Sequence, residues 1–170
     1  AVWACDTEVE DIDLKTVGPV GNGHVTCISI FGGPDIDFGL GEGPGTALWI
    51  DNIGPAGELI RVFKEWFEST ESKKVWHNYG FDRHIMNNEE IMCKGFYGDT
   101  FHMARLWDTS RDKQFGGRNG YSLEGLSDEL VADDRLKKVT MKELFGQGKE
   151  KKDGSVGKVK VLPPIRELQE

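Results

Sequence analysis

The sequence predicts an α/β fold, and three features carry that expectation. Three consecutive β-like runs are separated by turn signals, apolar spacing changes to a helical period near residue 59, and a short buried strand returns before a second helical run. A length of 170 residues suits one domain able to bury its own core. The first run, Val2-Trp3-Ala4-Cys5-Asp6-Thr7-Glu8, is an apolar strand that carries two carboxylates spaced by one residue. Alternation puts Asp6 and Glu8 on one face, roughly 6–7 Å apart. Two such charges repel each other, and the pair becomes favourable when a hard divalent cation such as Mg²⁺ or Mn²⁺ sits between them. Surface strands carry Asp-x-Glu pairs too, so the pair alone is a weak signal.

Residues 9–21 are acidic and turn-rich and read as a surface connection. His24 to Phe31 is β-branched and partly alternating, a second strand ended by Gly32-Gly33-Pro34. The segment Gly39 to Gly45 lacks the glycine order of a phosphate loop, which argues against a nucleotide cofactor. Thr46 to Asp51 completes an antiparallel meander of three strands. Leu59, Ile60, Phe63, Trp66 and Phe67 then recur at helical spacing behind Pro55, predicting a helix with an aromatic face on the sheet. Lys74 to Asn78 reads as a buried strand, and a helix is expected from about Phe81 to Glu90 with Asp82 in its first turn. The helix dipole favours an acid there on its own. Joined with Asp6 and Glu8 at a neighbouring strand end, however, Asp82 points to a metal cleft.

Gly98 to Trp107 reads as a third helix, with Asp99 or Thr100 near its N-cap; Asp99 is a capping residue first and a ligand second. A charged, Gly-rich loop precedes an amphipathic segment, Tyr121 to Val131, and Thr140 to Phe145 suggests one more helical turn. Residues 146–160 are polar, Gly-rich and Lys-rich, an exposed loop or a small hairpin around Asp153-Gly154. The tail from Ile165 to Glu170 looks helical. His77 is expected to be a satisfied core residue, and Trp49, Trp66 and Trp76 are expected in the core.

The net charge of -8 argues against nucleic-acid binding by bulk charge. Its distribution is uneven: Lys15 is the only Lys or Arg in residues 1–60. An acidic cleft facing a basic rim would give that pattern, and so would ordinary surface variation. Cys5, Cys27 and Cys93 are far apart with no zinc-like or paired spacing, so free thiols are expected. No apolar run reaches membrane length, and no membrane partner is expected. The chain starts directly on a strand without Met and reads as an excerpt of a longer protein.

Asp6-Thr7-Glu8 ending the first strand and Asn78-Tyr79-Gly80-Phe81-Asp82 following the fourth resemble the first two exonuclease motifs of the DEDD superfamily. Gly98-Asp99-Thr100, with the wider text WHNYGFDRH, DTFHMARLWDTSR and GGRNGYSLEGL, resembles the proofreading domains of family A DNA polymerases, in particular the plant-type organellar ones. The resemblance runs from Trp3 to about Phe145. It implies a ribonuclease H-like fold, a mixed five-stranded sheet with helices on both faces. It also implies 3′-5′ removal of nucleotides from DNA with two metal ions about 4 Å apart. One ion would be held by Asp6 and Glu8, and the second would share Asp6 and be positioned by Asp82. Thr7, Ile12, Asn78, Phe81 and Met141 fall at substrate-binding positions. Ile12 would wedge beside the terminal base and Met141 stack on it, or each would be a half-buried packing contact. Asn78 would hold the sugar-phosphate or only bond the turn before Asp82. The implied partners are a single-stranded 3′ end of DNA and a polymerase domain in the same parent chain, in a mitochondrion or plastid.

The family's third motif, Tyr-x-x-x-Asp, has no counterpart in the sequence: Tyr121 is followed four residues later by Gly125, and Tyr79 and Tyr97 fail likewise. Residues 1–170 therefore read as one exonuclease domain cut short before that motif. The alternative is a catalytically incomplete DEDD domain that binds single-stranded DNA or a polymerase without cutting. A related activity on RNA would turn on a contact to the 2′-OH, for which the sequence offers no readable residue.

Overall fold

The computed structural model describes residues 1–111, 120–133, 138–139, 141–150, 156–163 and 167. They form two compact units, residues 1–103 and 104–170.

The first unit is built on a five-stranded mixed sheet of order β3-β2-β1-β4-β5. Strands β1 (Val2–Glu10), β2 (His24–Phe31) and β3 (Leu48–Asp51) are the antiparallel meander expected from the turn signals. β4 (Lys73–Trp76) lies parallel to β1, and β5 (Phe96–Asp99) parallel to β4. This is the mixed, ribonuclease H-like arrangement that the resemblance implies. β1 runs on to Glu10, past the connection expected from residue 9, and its register slips between Glu8 and Val9. Such a bulge kinks a strand and re-aims the side chains beside it.

The helical segment after β3 is broken where one helix was expected. A 3-10 turn over Gly54–Ala56 leads into α1 (Leu59–Val62) and α2 (Lys64–Phe67), separated by Phe63 at φ −92°, ψ 4°. The apolar spacing runs through the break because Ile60 and Phe67 both reach the core. Helix α3 (Tyr79–Asn88) follows β4 and buries Asp82, Ile85 and Met86. Gly98, expected in the third helix, belongs to β5, and α4 (Thr100–Trp107) begins immediately after it. The core gathers Cys5, Val25, Ile28, Ile30, Ile50, Ile60, Phe67, Trp76, Ile85, Met86 and Ile91.

Trp66 and Trp76 belong to this packing, Trp66 edge-on to both Trp3 and Phe67. Trp49 does not. It lies on the edge strand β3 with its neighbours Leu48 and Ile50 turned more inward, and remains 56% exposed. Lys74 reverses the usual rule for a charged side chain. It is fully buried, and its Nζ donates to the carbonyls of Ser69, Ser72 and Lys94 while lying 4.6 Å from the Trp66 ring centroid. Three acceptors and an aromatic face compensate for the lost hydration. Gly95 makes the adjoining turn possible at φ +69°, where an added Cβ would overlap the Ser72 carbonyl oxygen. The three cysteines are free thiols.

The second unit contains a 3-10 turn at Thr109–Arg111, α5 (Leu123–Leu130) and α6 (Met141–Leu144). Ser122 caps α5 by accepting from the Gly125 N–H. β6 (Gln147–Glu150) and β7 (Val156–Val161) pair antiparallel. The expected Asp153-Gly154 turn lies outside the described residues, as does most of the tail from Ile165. Among the described residues no helix is long and apolar enough to cross a membrane.

Candidate active site

β1 delivers Asp6 and Glu8 half-buried, with Thr7 between them buried on the opposite side of the pleat. α3 brings Asp82 against Thr7 from a distant part of the chain, near enough to Asp6 for the two charges to interact. The Thr7 hydroxyl donates to Asp82 Oδ1 at 2.7 Å, and the Thr7 N–H donates to the same oxygen at 3.3 Å. Thr7, expected to touch substrate, therefore spends its hydroxyl on holding Asp82. Burial pushes the Asp82 carboxyl up from 3.8 to about 6; the Thr7 hydroxyl bond pulls the other way, and the negative charge of Asp6 adds to the rise. Asp6 and Asp82 are thus near enough to feel each other's charge within a buried, polar corner of the fold.

That corner suits a hard divalent cation in its chemistry: all three candidate donors are carboxylates, and two of them oppose each other electrostatically. The side chains do not close into a preformed cage, since no group of three or more metal-ligating residues forms among the described residues. The fit is one of donor type and placement, and a cation would draw the carboxylates together.

The turn that aims Asp82 is held from elsewhere. Asn78 adopts the left-handed conformation, φ 65°, ψ 50°, and its side chain makes no capping bond to α3. Of the two roles considered for Asn78, the tie across the turn is supplied instead by Asp99. The Asp99 carboxylate is buried and accepts from the N–H groups of Asn78 at 2.9 Å, Tyr79 at 2.8 Å and Phe101 at 3.0 Å. Burial alone would raise its pKa, but these backbone donors outweigh it and hold the carboxyl below the usual range. Beside it, the Thr100 hydroxyl donates to the Trp76 carbonyl at 3.2 Å and meets His77 Nδ1 at 2.8 Å. His77 has a hydrogen-bond partner there, but it is half-buried and lies outside the core expected for it. Asp99 was legible as a cap of α4; its larger part in the β4-α3 turn spans 21 residues and leaves no local sequence signal.

The remaining candidates divide. Ile12 and Phe81 are partly buried and pack against the core. The Asn78 residue is exposed. Met141 opens α6 in the second unit.

Strand-borne carboxylates, a helix that returns a third acid beside them, and the sheet order together define a nuclease-like α/β domain. The comparison of sequences agrees: the chain belongs to the 3′-5′ exonuclease domain family of DNA polymerase A, matched over residues 3–153. It is 46% identical over 178 residues to DNA polymerase I A, chloroplastic/mitochondrial, of Arabidopsis thaliana, covering 99% of this chain and 16% of that protein. DNA polymerase I A, chloroplastic, of Oryza sativa subsp. japonica is 44% identical, covering 99% and 17%. The chain thus spans about a sixth of the length of these curated relatives. Among solved structures, the POL domain of Pol1 from M. smegmatis, in complex with DNA primer-template and dNTP, has a TM-score of 0.53 at 14% identity. That match covers 78% of this chain and 19% of the other, and it is a likeness of fold.

Proposed function

We propose that this chain removes nucleotides from the single-stranded 3′ end of DNA, as the proofreading domain of an organellar DNA polymerase whose polymerase domain lies in the same parent chain. The observation that carries the reading is the meeting of Asp6 and Asp82, from motifs far apart in the sequence, in a chain of this family. Asp6, Glu8 and Asp82 would hold two divalent cations, Mg²⁺ or Mn²⁺. When bound, such ions lower the pKa of an attacking water and stabilise charge on the phosphate and the leaving 3′ oxygen. Thr7 fixes the Asp82 side chain so that the carboxylate is presented without rotamer search. The apolar flanks of Ile12 and Phe81 suit a terminal base of any identity, and the exposed Asn78 suits a sugar or phosphate oxygen. Met141 would stack on the terminal base, a role that rests on the sequence resemblance alone. The mitochondrial or plastid setting follows the names of the relatives.

The test is Mg²⁺- and Mn²⁺-dependent digestion of a 3′-ended single-stranded DNA by this chain, by a C-terminally extended form, and by the Asp6→Ala variant of each. Cleavage is expected from the extended form, and Asp6→Ala should abolish it without loss of folded structure. An Asp6→Ala variant that cuts as fast as its parent would overturn the assignment. Binding without cleavage in both forms would favour a non-cutting DNA-binding module.

A further inference from the structure

We propose that Asp99 is a positioning residue for Asp82, setting the metal-binding geometry through the backbone of the β4-α3 turn; the inference rests on the metal-dependent reading above. Asp82 has one side-chain partner, Thr7, among its described hydrogen bonds, so the rest of its aim comes from where α3 starts. α3 starts at Asn78 in the left-handed region, which asparagine visits more readily than most residues, so the orientation of this particular turn is enforced by its partners.

Asp99 supplies that enforcement. Its two oxygens accept from consecutive backbone N–H groups, Oδ1 from Asn78 and Oδ2 from Tyr79, a fork that matches one orientation of the turn. Oδ1 also accepts from Phe101, which ties the same carboxylate to the first turn of α4. The turn after β4, the first residue of α3 and the first turn of α4 are thereby joined at one buried group, and Thr100 adds a second tie to Trp76 and His77. Asp82 lies three residues past Tyr79 in the same helix, so any tilt of the turn moves its Cβ directly. A neutral Asn at position 99 would place an amide NH₂ against a backbone N–H and open one arm of the fork. The group therefore acts as an outer support of a metal ligand, a role whose loss typically weakens metal affinity ~10–100-fold.

The test compares Mn²⁺ binding, titrated by electron paramagnetic resonance, in the unmodified chain, Asp99→Asn and Asn52→Ala, with melting curves in EDTA recorded for each. Asn52 is the control. It bridges the Val25 carbonyl and the Ile60 N–H in the same unit, so its loss weakens packing away from the α3 turn. The expected result is a Kd for Mn²⁺ raised ~10-fold or more by Asp99→Asn and unchanged by Asn52→Ala at a comparable loss of melting temperature. An unchanged Kd in Asp99→Asn would overturn the positioning role, as would an equal weakening in both variants. Absence of Mn²⁺ binding in the unmodified chain would instead overturn the metal-dependent reading, and this inference with it.

Discussion

Replacing Asp82 by Asn should make the metal-free protein more stable at neutral pH, although it removes a proposed ligand. Asp82 is 4% exposed, and burial followed by the opposing Thr7 bond and the repelling charge of Asp6 leaves its carboxyl at about 6 against 3.8. That displacement corresponds to about 3 kcal/mol of added cost for the ionised form in the folded chain. The sign follows from proton counting. Between pH 3.8 and about 6 the folded chain keeps a proton that the unfolded chain releases, so stability falls as pH rises through this window. Above it the full penalty is present; below pH 3.8 none remains. Asn matches the shape of Asp, and its Oδ1 can still accept from the Thr7 hydroxyl and N–H. Those bonds lose their charge assistance, which offsets about 1 kcal/mol of the gain. Urea unfolding in EDTA, followed by tryptophan fluorescence from pH 3.5 to 8, should therefore show Asp82→Asn more stable by about 1–3 kcal/mol at pH 8. The difference should shrink towards zero near pH 4. Adding Mg²⁺ should then stabilise the unmodified chain and leave the variant unchanged. A variant that is less stable at pH 8, or a difference independent of pH, would refute the picture of a carboxylate held in place at an electrostatic cost.

Lys74→Met keeps much of the side chain's length but strips the donor from the Ser69, Ser72 and Lys94 carbonyls. Unsatisfied acceptors cost about 1–3 kcal/mol each before relaxation, so a melting temperature lower by ~5–10 °C is expected, and an unchanged melting curve would mean that water replaces the ammonium. Deleting residues 146–160, which hold Lys149, Lys151, Lys152, Lys158 and Lys160, should weaken single-stranded DNA binding and flatten its dependence on salt. An identical salt slope before and after deletion would show that these lysines do not meet phosphates.

Which parts of this chain could be read in advance depended on whether the cause was local. β1, β2 and β3 alternate or run apolar between Gly and Pro punctuation, and each appears where that pattern puts it. β5 escaped because Phe96-Tyr97-Gly98-Asp99 is a short edge strand with two exposed aromatics and no alternation, joined without a loop to α4. Trp49 departs for a related reason: hydrophobicity argues for burial, but it alternates with the buried Ile50 and stays exposed on the other face of β3. The break at Phe63 was hidden because the apolar spacing of Ile60 and Phe67 is the same for one bent helix and two short ones. The site shows the same division. Asp6, Glu8 and Asp82 stand out in the sequence as candidates, an acid pair and a helix-start acid in family order. What grips Asp82 does not, since the Thr7-Asp82 bond spans 75 residues and the Asp99-Asn78 bond spans 21. Sequence motifs name the groups that do chemistry because chemistry restricts residue type at a position. The groups that aim them are restricted only by where backbone N–H and hydroxyl donors happen to point, and many residue types at many positions can supply an acceptor. Asp99 illustrates the consequence: as an N-cap it is an ordinary residue, and only the fold turns the same carboxylate into the clasp of the Asp82 helix.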